Sequence, residues 1–399
     1  MVIKIGILEI GFHTYKLPDF CRILEDHELY VFTTKEGKII LETELSGGVD
    51  LSNIIKQDKE SWKEYFDKVE SYTNTLDAII TLTTHYKPTA DIEFMNFHPK
   101  CVWIGWMHNA KQYNISGETK FESIVNFMSF LTEYTPGWLW NRLFRQRVQS
   151  FFRPLPLKNA DSLIVMSSQM KKYLYDNNWG SPVDIFYPAI YTQNSSLMSS
   201  TSDKMKIVIP GRVSQKLRDY FGVLKYFESQ NNDLPLKIVL LGGTNITESS
   251  LRDYCKKLSG KNLLKCYLDQ QWISDTEFNQ QMKSADIILS PLQKTVKRDH
   301  GTAKEVYGKT KASGVIWDAI QYGKPLMLPS FYQENHPLLE SMIHHMHGTE
   351  ELCQKLLEIS KKEPLREELK KNARSTAKNF ILKKQKDRME ELLIERVRN

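Results

Sequence analysis

Cysteine is scarce in the 399-residue chain and scattered: Cys21, Cys101, Cys255, Cys266 and Cys353 are odd in number and form no C-x-x-C pair. This argues against a disulfide framework or a cysteine zinc site and points to a reducing compartment with free thiols. Nor is there a run approaching the ~18 consecutive apolar residues of a membrane span. The opening MVIKIGILEIG is strand-like and lacks the basic start, long apolar run and small-residue cleavage site of a signal peptide. Neither G-x-x-x-x-G-K-[ST] nor G-x-S-x-G occurs, so P-loop and nucleophile-elbow chemistry have no motif behind them. A large charge excess is also missing. The net +6, from 54 Lys and Arg against 48 Asp and Glu, suits an anionic ligand or an anionic membrane surface and falls short of a nucleic-acid signature. These absences predict a cytoplasmic protein, at most peripheral on the inner face of the membrane.

What is present is apolar material for two cores: 41% hydrophobic and 11% aromatic residues in a chain longer than one core usually supports. Short β-branched runs alternate with longer amphipathic stretches, the pattern of an α/β protein with parallel sheets covered by helices. Strands are predicted at Val2–Ile7, Leu29–Phe32, Ala78–Leu82, Cys101–Trp106 and Ser162–Met166. A polar, Ser-rich stretch, Tyr191 to Lys204, reads as a linker, after which the pattern restarts. Strands then follow at Lys206–Ile209, Lys237–Leu241, Ile287–Pro291 and Pro325–Leu328, with helices near Tyr220–Ser229, Asp275–Ser284 and Ser313–Tyr322. The domains are therefore set at 1–190, a linker at 191–204, a second domain at 205–375 and a terminal helix at 376–399.

The stretch Gly308 to Pro329 carries the first chemical signal. A loop with Gly308, Lys309, Thr310 and Lys311 leads into a helix whose first turn is expected to hold Ser313 and Gly314. Glycine allows a ligand close approach, and unpaired N–H groups at a helix start favour phosphate. Asp318, one turn along, has the reach of a ribose-binding carboxylate. A second signal is the strand-end loop after Ile209, where Gly211 is followed by Arg212, Lys216 and Arg218. Cations at the carboxyl edge of a parallel sheet hold anionic ligands, and Arg does so with directed bonds.

Gly211-Arg212 with its downstream cations, Leu241-Gly242-Gly243, the stretch Ser284 to Pro291, and Ser313 to Ile320 before Tyr322-Gly323-Lys324-Pro325 resemble, in that order, the C-terminal domain of GT-B glycosyltransferases. The resemblance is closest to the large retaining family 4, covers residues 205–330 well, and extends faintly to the N-terminal half. It implies two Rossmann-like domains facing a cleft, a C-terminal helix crossing back to the N-domain, and transfer of a sugar from a nucleotide-diphosphate sugar to a glycan or lipid-linked hydroxyl with retention. The co-substrate is the nucleotide sugar; no cofactor and no metal is implied. The resemblance assigns the diphosphate to Arg212 and either Lys216 or, by spacing, Arg218, with Lys309, Lys311, Ser313 and Gly314 beside it. Asp318 takes the place of the ribose-binding Glu of the family's E-x7-E motif. The first Glu of that motif falls at Thr310, which leaves open whether Glu305 or Asp299 compensates. His108 matches a histidine facing the transferred sugar and, with Asp318, makes up the catalytic group; Gly11 and His13 follow the first strand, where donor phosphates approach. Alternatives of other classes are a non-catalytic nucleotide-sugar-binding or scaffold subunit, a sugar-nucleotide epimerase and an inverting transferase.

Two further features stand apart. The segment Phe127 to Lys158 mixes aromatics with Arg142, Arg145, Arg147 and Arg153, which suits either peripheral contact with an anionic membrane or a helical hairpin with solvated arginines. The cluster His344, His345 and His347 lacks a neighbouring carboxylate or Cys pair in metal-site spacing and is read as non-metal.

Overall fold

In the computed structural model the apolar runs assemble into two separate parallel sheets. The described residues are 2–11, 13–45, 51–82, 90, 93–94, 96–110, 157, 159–192, 204–230, 234–243, 249–259, 263–267, 270, 273–297, 304–334 and 336–398. Of the segment 127–158 only Leu157 is among them, so its membrane reading lies outside the described residues; of the expected linker only residues 191, 192 and 204 are described. The chain divides into a unit of Met1–Pro188, Lys297–Glu305 and Leu382–Asn399 and a unit of Ala189–Val296 and Val306–Ile381.

The first unit runs β1 (Lys4–Glu9), α1 (Leu17–Ile23), β2 (Glu28–Thr33), α2 (Lys35–Glu44), β3 (Leu51–Ile55), α3 (Trp62–Thr73), β4 (Ala78–Thr81), β5 (Val102–Met107), β6 (Ser162–Val165), α4 (Ser168–Asp176) and β7 (Val183–Ile185). Its sheet order is β3-β2-β1-β4-β5-β6-β7, and every adjacent pair is parallel. In the second unit come β8 (Met205–Pro210), α5 (Tyr220–Ser229), β9 (Leu236–Leu241), α6 (Ser249–Ser259), β10 (Leu264–Cys266), α7 (Asp275–Lys283) and β11 (Ile287–Leu289). β12 (Thr295–Lys297) and β13 (Lys304–Val306) pair with each other and are divided between the units; α8 (Val315–Tyr322), β14 (Leu326–Pro329), β15 (Ile343–Met346), α9 (Gly348–Lys361) and α10 (Glu363–Ala377) then follow in the second unit. The second sheet is also all parallel, in the order β10-β9-β8-β11-β14-β15. Both are doubly wound α/β sheets in which the chain reverses direction across the sheet beside its first strand.

Burial explains why the interior strands are near-continuous apolar runs. In β8 (MKIVIP) only Lys206 is more than marginally exposed, because helices cover both faces. Met205, Ile207 and Ile209 pack with Val223, Leu224 and Phe227 of α5 and with Leu352, Leu356 and Ile359 of α9. The last helix, α11 (Leu382–Arg398), belongs to the first unit: Lys386 pairs with Glu25 and Asp26 at 2.8 Å each, and Arg396 with Asp184 at 2.7 Å. Among the described residues no helix is long and apolar enough to cross a membrane.

Candidate functional site

In the second sheet β8 and β11 are neighbours whose onward connections leave toward opposite edges, and such a switch point opens a crevice at the carboxyl ends of the strands. Two loops occupy that edge. The first begins as β8 ends: Gly211 N donates to Leu241 O (2.9 Å) and Val213 N to Gly243 O (3.1 Å), so the chain follows β9 before turning away. Gly211 has φ +91°, and a Cβ there would stand 3.0 Å from Arg218 Nη2, so both backbone and space require glycine. Arg218 is buried beneath the turn, with Nη1 donating to Arg212 O (3.1 Å) and Nε to Ser290 Oγ (3.4 Å) at the end of β11. Arg212 and Lys216 are exposed. Of the three cations expected to meet a diphosphate, two face solvent and the favoured one, Arg218, also holds the loop in shape.

The second loop, Val306 to Gly314, is joined to the first through one intervening segment. Asp219 N donates to Pro291 O (2.7 Å), Gln293 N to Leu217 O (3.0 Å) and Tyr307 N to Lys294 O (3.2 Å). Lys309 is exposed, and Lys311 is half-buried with its ammonium 5.7 Å from the centre of the Tyr307 ring. α8 begins at Val315 with Gly314 as its N-cap, so Ser313 and Gly314 precede the helix and do not form its first turn. Ser313 is buried and its N–H donates to Tyr332 Oη (3.1 Å), which removes that amide from the set open to phosphate. The N–H groups of Ala312, Gly314 and Val315 have no partner among the described residues. Gly314 is exposed, and a Cβ added to it would meet nothing within 4 Å. Asp318 is half-buried in the first turn of α8, its N–H on Gly314 O (3.1 Å).

Thr310 does not present its hydroxyl outward. It is buried, with Oγ1 accepting from Val306 N (2.9 Å) and facing Val306 O at 3.4 Å. Glu305 is buried too, while Asp299 lies outside the described residues. Tyr332 carried no signal in the sequence, and Ser290, though within the Ser284 to Pro291 stretch, was assigned no role, because each is placed by strand order rather than by spacing along the chain.

A separate cluster lies at the carboxyl edge of the first sheet. Glu9, fully buried at the end of β1, accepts from Gly11 N (2.7 Å) and His13 N (3.1 Å) through Oε1. His13 stacks on His108 with centroids 3.8 Å apart and planes 19° from parallel; His108 meets Trp106 edge-on at 3.9 Å. Burial, followed by the Lys16 ammonium, pushes the His13 pKa down to about 4, so the ring is neutral at pH 7. Nδ1 of His13 is buried with no hydrogen-bond partner among the described residues. Gly11 and His108 thus sit in one cluster, and Glu9, which lies past the expected strand Val2–Ile7 and was given no role, organises it. Of the His344, His345 and His347 cluster, the first two are in the edge strand β15; among the described residues no group of three or more His, Cys, Asp or Glu side chains is arranged to hold a metal.

No protein-family model and no curated protein sequence matches the chain. Solved structures do match. HepE of Anabaena, in complex with UDP and glucose, aligns with a TM-score of 0.61 at 14% identity over 98% of this chain and 100% of its own. The catalytic domain of starch synthase IV from Arabidopsis thaliana, bound to ADP and acarbose, aligns at 0.60 and 10% identity over the whole of both chains. A Listeria monocytogenes protein named as a UDP-N-acetylglucosamine 2-epimerase aligns at 0.52 and 12% identity over 95% of both. With two parallel sheets of this order and a last helix that returns to the first unit, the chain has the GT-B fold of glycosyltransferases.

Proposed function

We propose that the chain is a glycosyltransferase that moves a sugar from a nucleotide-diphosphate donor to a hydroxyl of a glycan or lipid-linked acceptor, with retention of configuration. The observation that carries this reading is the joined pair of loops at the switch point of the second sheet. Exposed Arg212, Lys216 and Lys309 stand on loops that also offer the open amides of Ala312, Gly314 and Val315. That combination suits a diphosphate, and Asp318 in the first turn of α8 is the carboxylate proposed for the ribose hydroxyls. HepE in complex with UDP and glucose supports the same ligand class.

In the proposed reaction the bond between the sugar's anomeric carbon and the diphosphate oxygen breaks as the acceptor oxygen bonds to that carbon on the same face. The acceptor proton passes to the departing diphosphate. Charge grows on that diphosphate as it leaves, and fixed cations and amide dipoles already aimed at it lower the barrier. In this reading the lysines and arginines do the work a metal ion does elsewhere.

Arg212→Ala combined with Lys309→Ala tests the site without disturbing the core, since both side chains are exposed. Calorimetry with UDP, ADP and GDP should show the best wild-type ligand weakened about tenfold or more, from the loss of two charge-assisted contacts. Unchanged affinity removes the donor from these loops. The inward-turned Thr310, at the position of the family's sugar-facing Glu, favours a second reading, nucleotide-sugar binding without transfer. Donor binding with no turnover across a panel of donors and acceptors would select it.

A further inference from the structure

We propose that Tyr332, with Thr310, is a positioning residue that latches the Val306–Gly314 loop so that only its last amides face the donor diphosphate, an inference that rests on the donor-site reading above.

The loop's hydrogen bonds divide it sharply. Thr310 Oγ1 takes the N–H of Val306, Gly308 N donates to Lys311 O (2.9 Å), and the amides of Lys309, Thr310 and Lys311 all converge on Val306 O at 3.2, 2.8 and 3.1 Å. Ser313 N goes to the phenol oxygen of Tyr332. Everything up to Ser313 except the amide of Ala312 is therefore bound within the protein, and the unpartnered amides are those of Ala312, Gly314 and Val315. A backbone left with so many inward bonds is rigid, and its few unsatisfied donors are where an incoming acceptor gains most.

Tyr332 fixes this division from behind. It is fully buried in the turn after β14, its N–H on Pro329 O (3.0 Å). Its backbone and ring press on the start of the same loop: a Cβ at Gly308 would lie 3.2 Å from Tyr332 Cα and 3.3 Å from its Cγ, and Gly308 has φ +80°. One side chain thus touches both ends of the loop, by packing at Gly308 and by a hydrogen bond at Ser313. Burial, reinforced by the Glu334 carboxylate, raises the phenol's pKa, so the hydroxyl stays neutral. Thr310 closes the remaining gap by tying the middle of the loop to its first residue. This also gives position 310 a task that needs a short hydroxyl side chain and leaves it no atom for the sugar.

Tyr332→Phe keeps the ring and deletes only the bond to Ser313 N; Thr310→Val keeps the shape and deletes the hydroxyl. Calorimetry compares each variant's affinity for the best-binding nucleoside diphosphate and for the corresponding nucleoside. The expected result is a loss of about tenfold for the diphosphate with the nucleoside within twofold, and near-wild-type values for Thr310→Ser. Equal losses for both ligands indicate a merely structural role and overturn the latch, as does an unchanged diphosphate affinity in both folded variants. If one variant fails to fold, the other decides. Absence of diphosphate binding by the wild type overturns the donor-site reading itself and the latch with it.

Discussion

A side chain on Gly314 would meet no protein atom within 4 Å, whereas one on Gly211 would meet the guanidinium of Arg218. The two glycines are therefore kept for different reasons. Gly211 is required by the fold, whereas nothing among the described residues requires Gly314 (φ −61°), which leaves room for the proposed approach of a phosphate to this helix start. Gly314→Ala should leave stability within about 0.5 kcal/mol yet weaken nucleoside diphosphate binding severalfold in a calorimetric titration. Equal affinity would mean that no phosphate approaches this helix start. His13 supplies a second prediction at this scale. In the unfolded chain its imidazole protonates near pH 6.5, while in the folded protein burial and Lys16 hold protonation off until about 4. Between those values the unfolded state binds the extra proton, so stability falls as the pH drops from 6.5 toward 4. His13→Gln should lose less denaturant resistance than wild type between pH 7 and pH 4.5; identical losses would show that His13 is not held neutral. Gly211, Arg212 and Gly314 stood out in the sequence because their types are tied to phosphate chemistry at loop and helix starts, and the structure brings their two loops to one sheet edge. The parts played by Tyr332, Ser290 and Glu9 did not stand out, because a buried tyrosine, a strand-end serine and a strand carboxylate have the same local pattern in any α/β protein.

At the level of elements, every interior strand of both sheets was readable and every edge strand was missed. β1, β2, β4, β5, β6, β8, β9, β11 and β14 are flanked on both sides by other strands and read as apolar runs. β3, β7, β10 and β15 are the four sheet edges. Their sequences, LSNII, VDI, LKC and IHHM, mix polar residues into very short runs, as edges exposed to unwanted pairing do. In β15 the histidines drew attention as a possible ligand cluster and hid the strand. The helix expected at Ser313–Tyr322 starts two residues later and that expected at Asp275–Ser284 ends one residue earlier, whereas α5 falls where it was expected. Asp219 caps α5: Oδ1 accepts from Gly222 N (3.0 Å) at its start and from Gln215 Nε2 (3.0 Å), while Oδ2 accepts from Thr349 in the first turn of α9 (2.7 Å). It joins two helices behind the first loop of the site. Asp219→Ala should cost about 1–2 kcal/mol, since the cap alone is worth about 1, measured as a lower midpoint in urea. A change below about 0.5 kcal/mol would show that Gln215 or solvent replaces it.

The whole molecule is two separately cored units threaded by one chain that ends on the first. α11 buries Gln385, Met389 and Leu393 in that unit, and Lys386 and Arg396 anchor it through Glu25, Asp26 and Asp184. Local pattern foretold an amphipathic tail; only the family resemblance foretold where it would lie, because amphipathicity states that a face is covered and not by what. The candidate donor loops, by contrast, are built wholly from Ala189–Val296 and Val306–Ile381. Perturbing the two units should therefore move different unfolding transitions in calorimetry. Deleting residues 382–399 uncovers the α11 contacts and should lower a transition belonging to the first unit. With the donor site on these loops, saturating nucleoside diphosphate should raise the second unit's transition, by about 2.7 kcal/mol at a hundredfold excess over Kd. In the truncated protein the ligand-induced shift should persist at full size. If deletion and ligand instead act on one shared transition, the two cores unfold together and the division by contacts is not a division in stability.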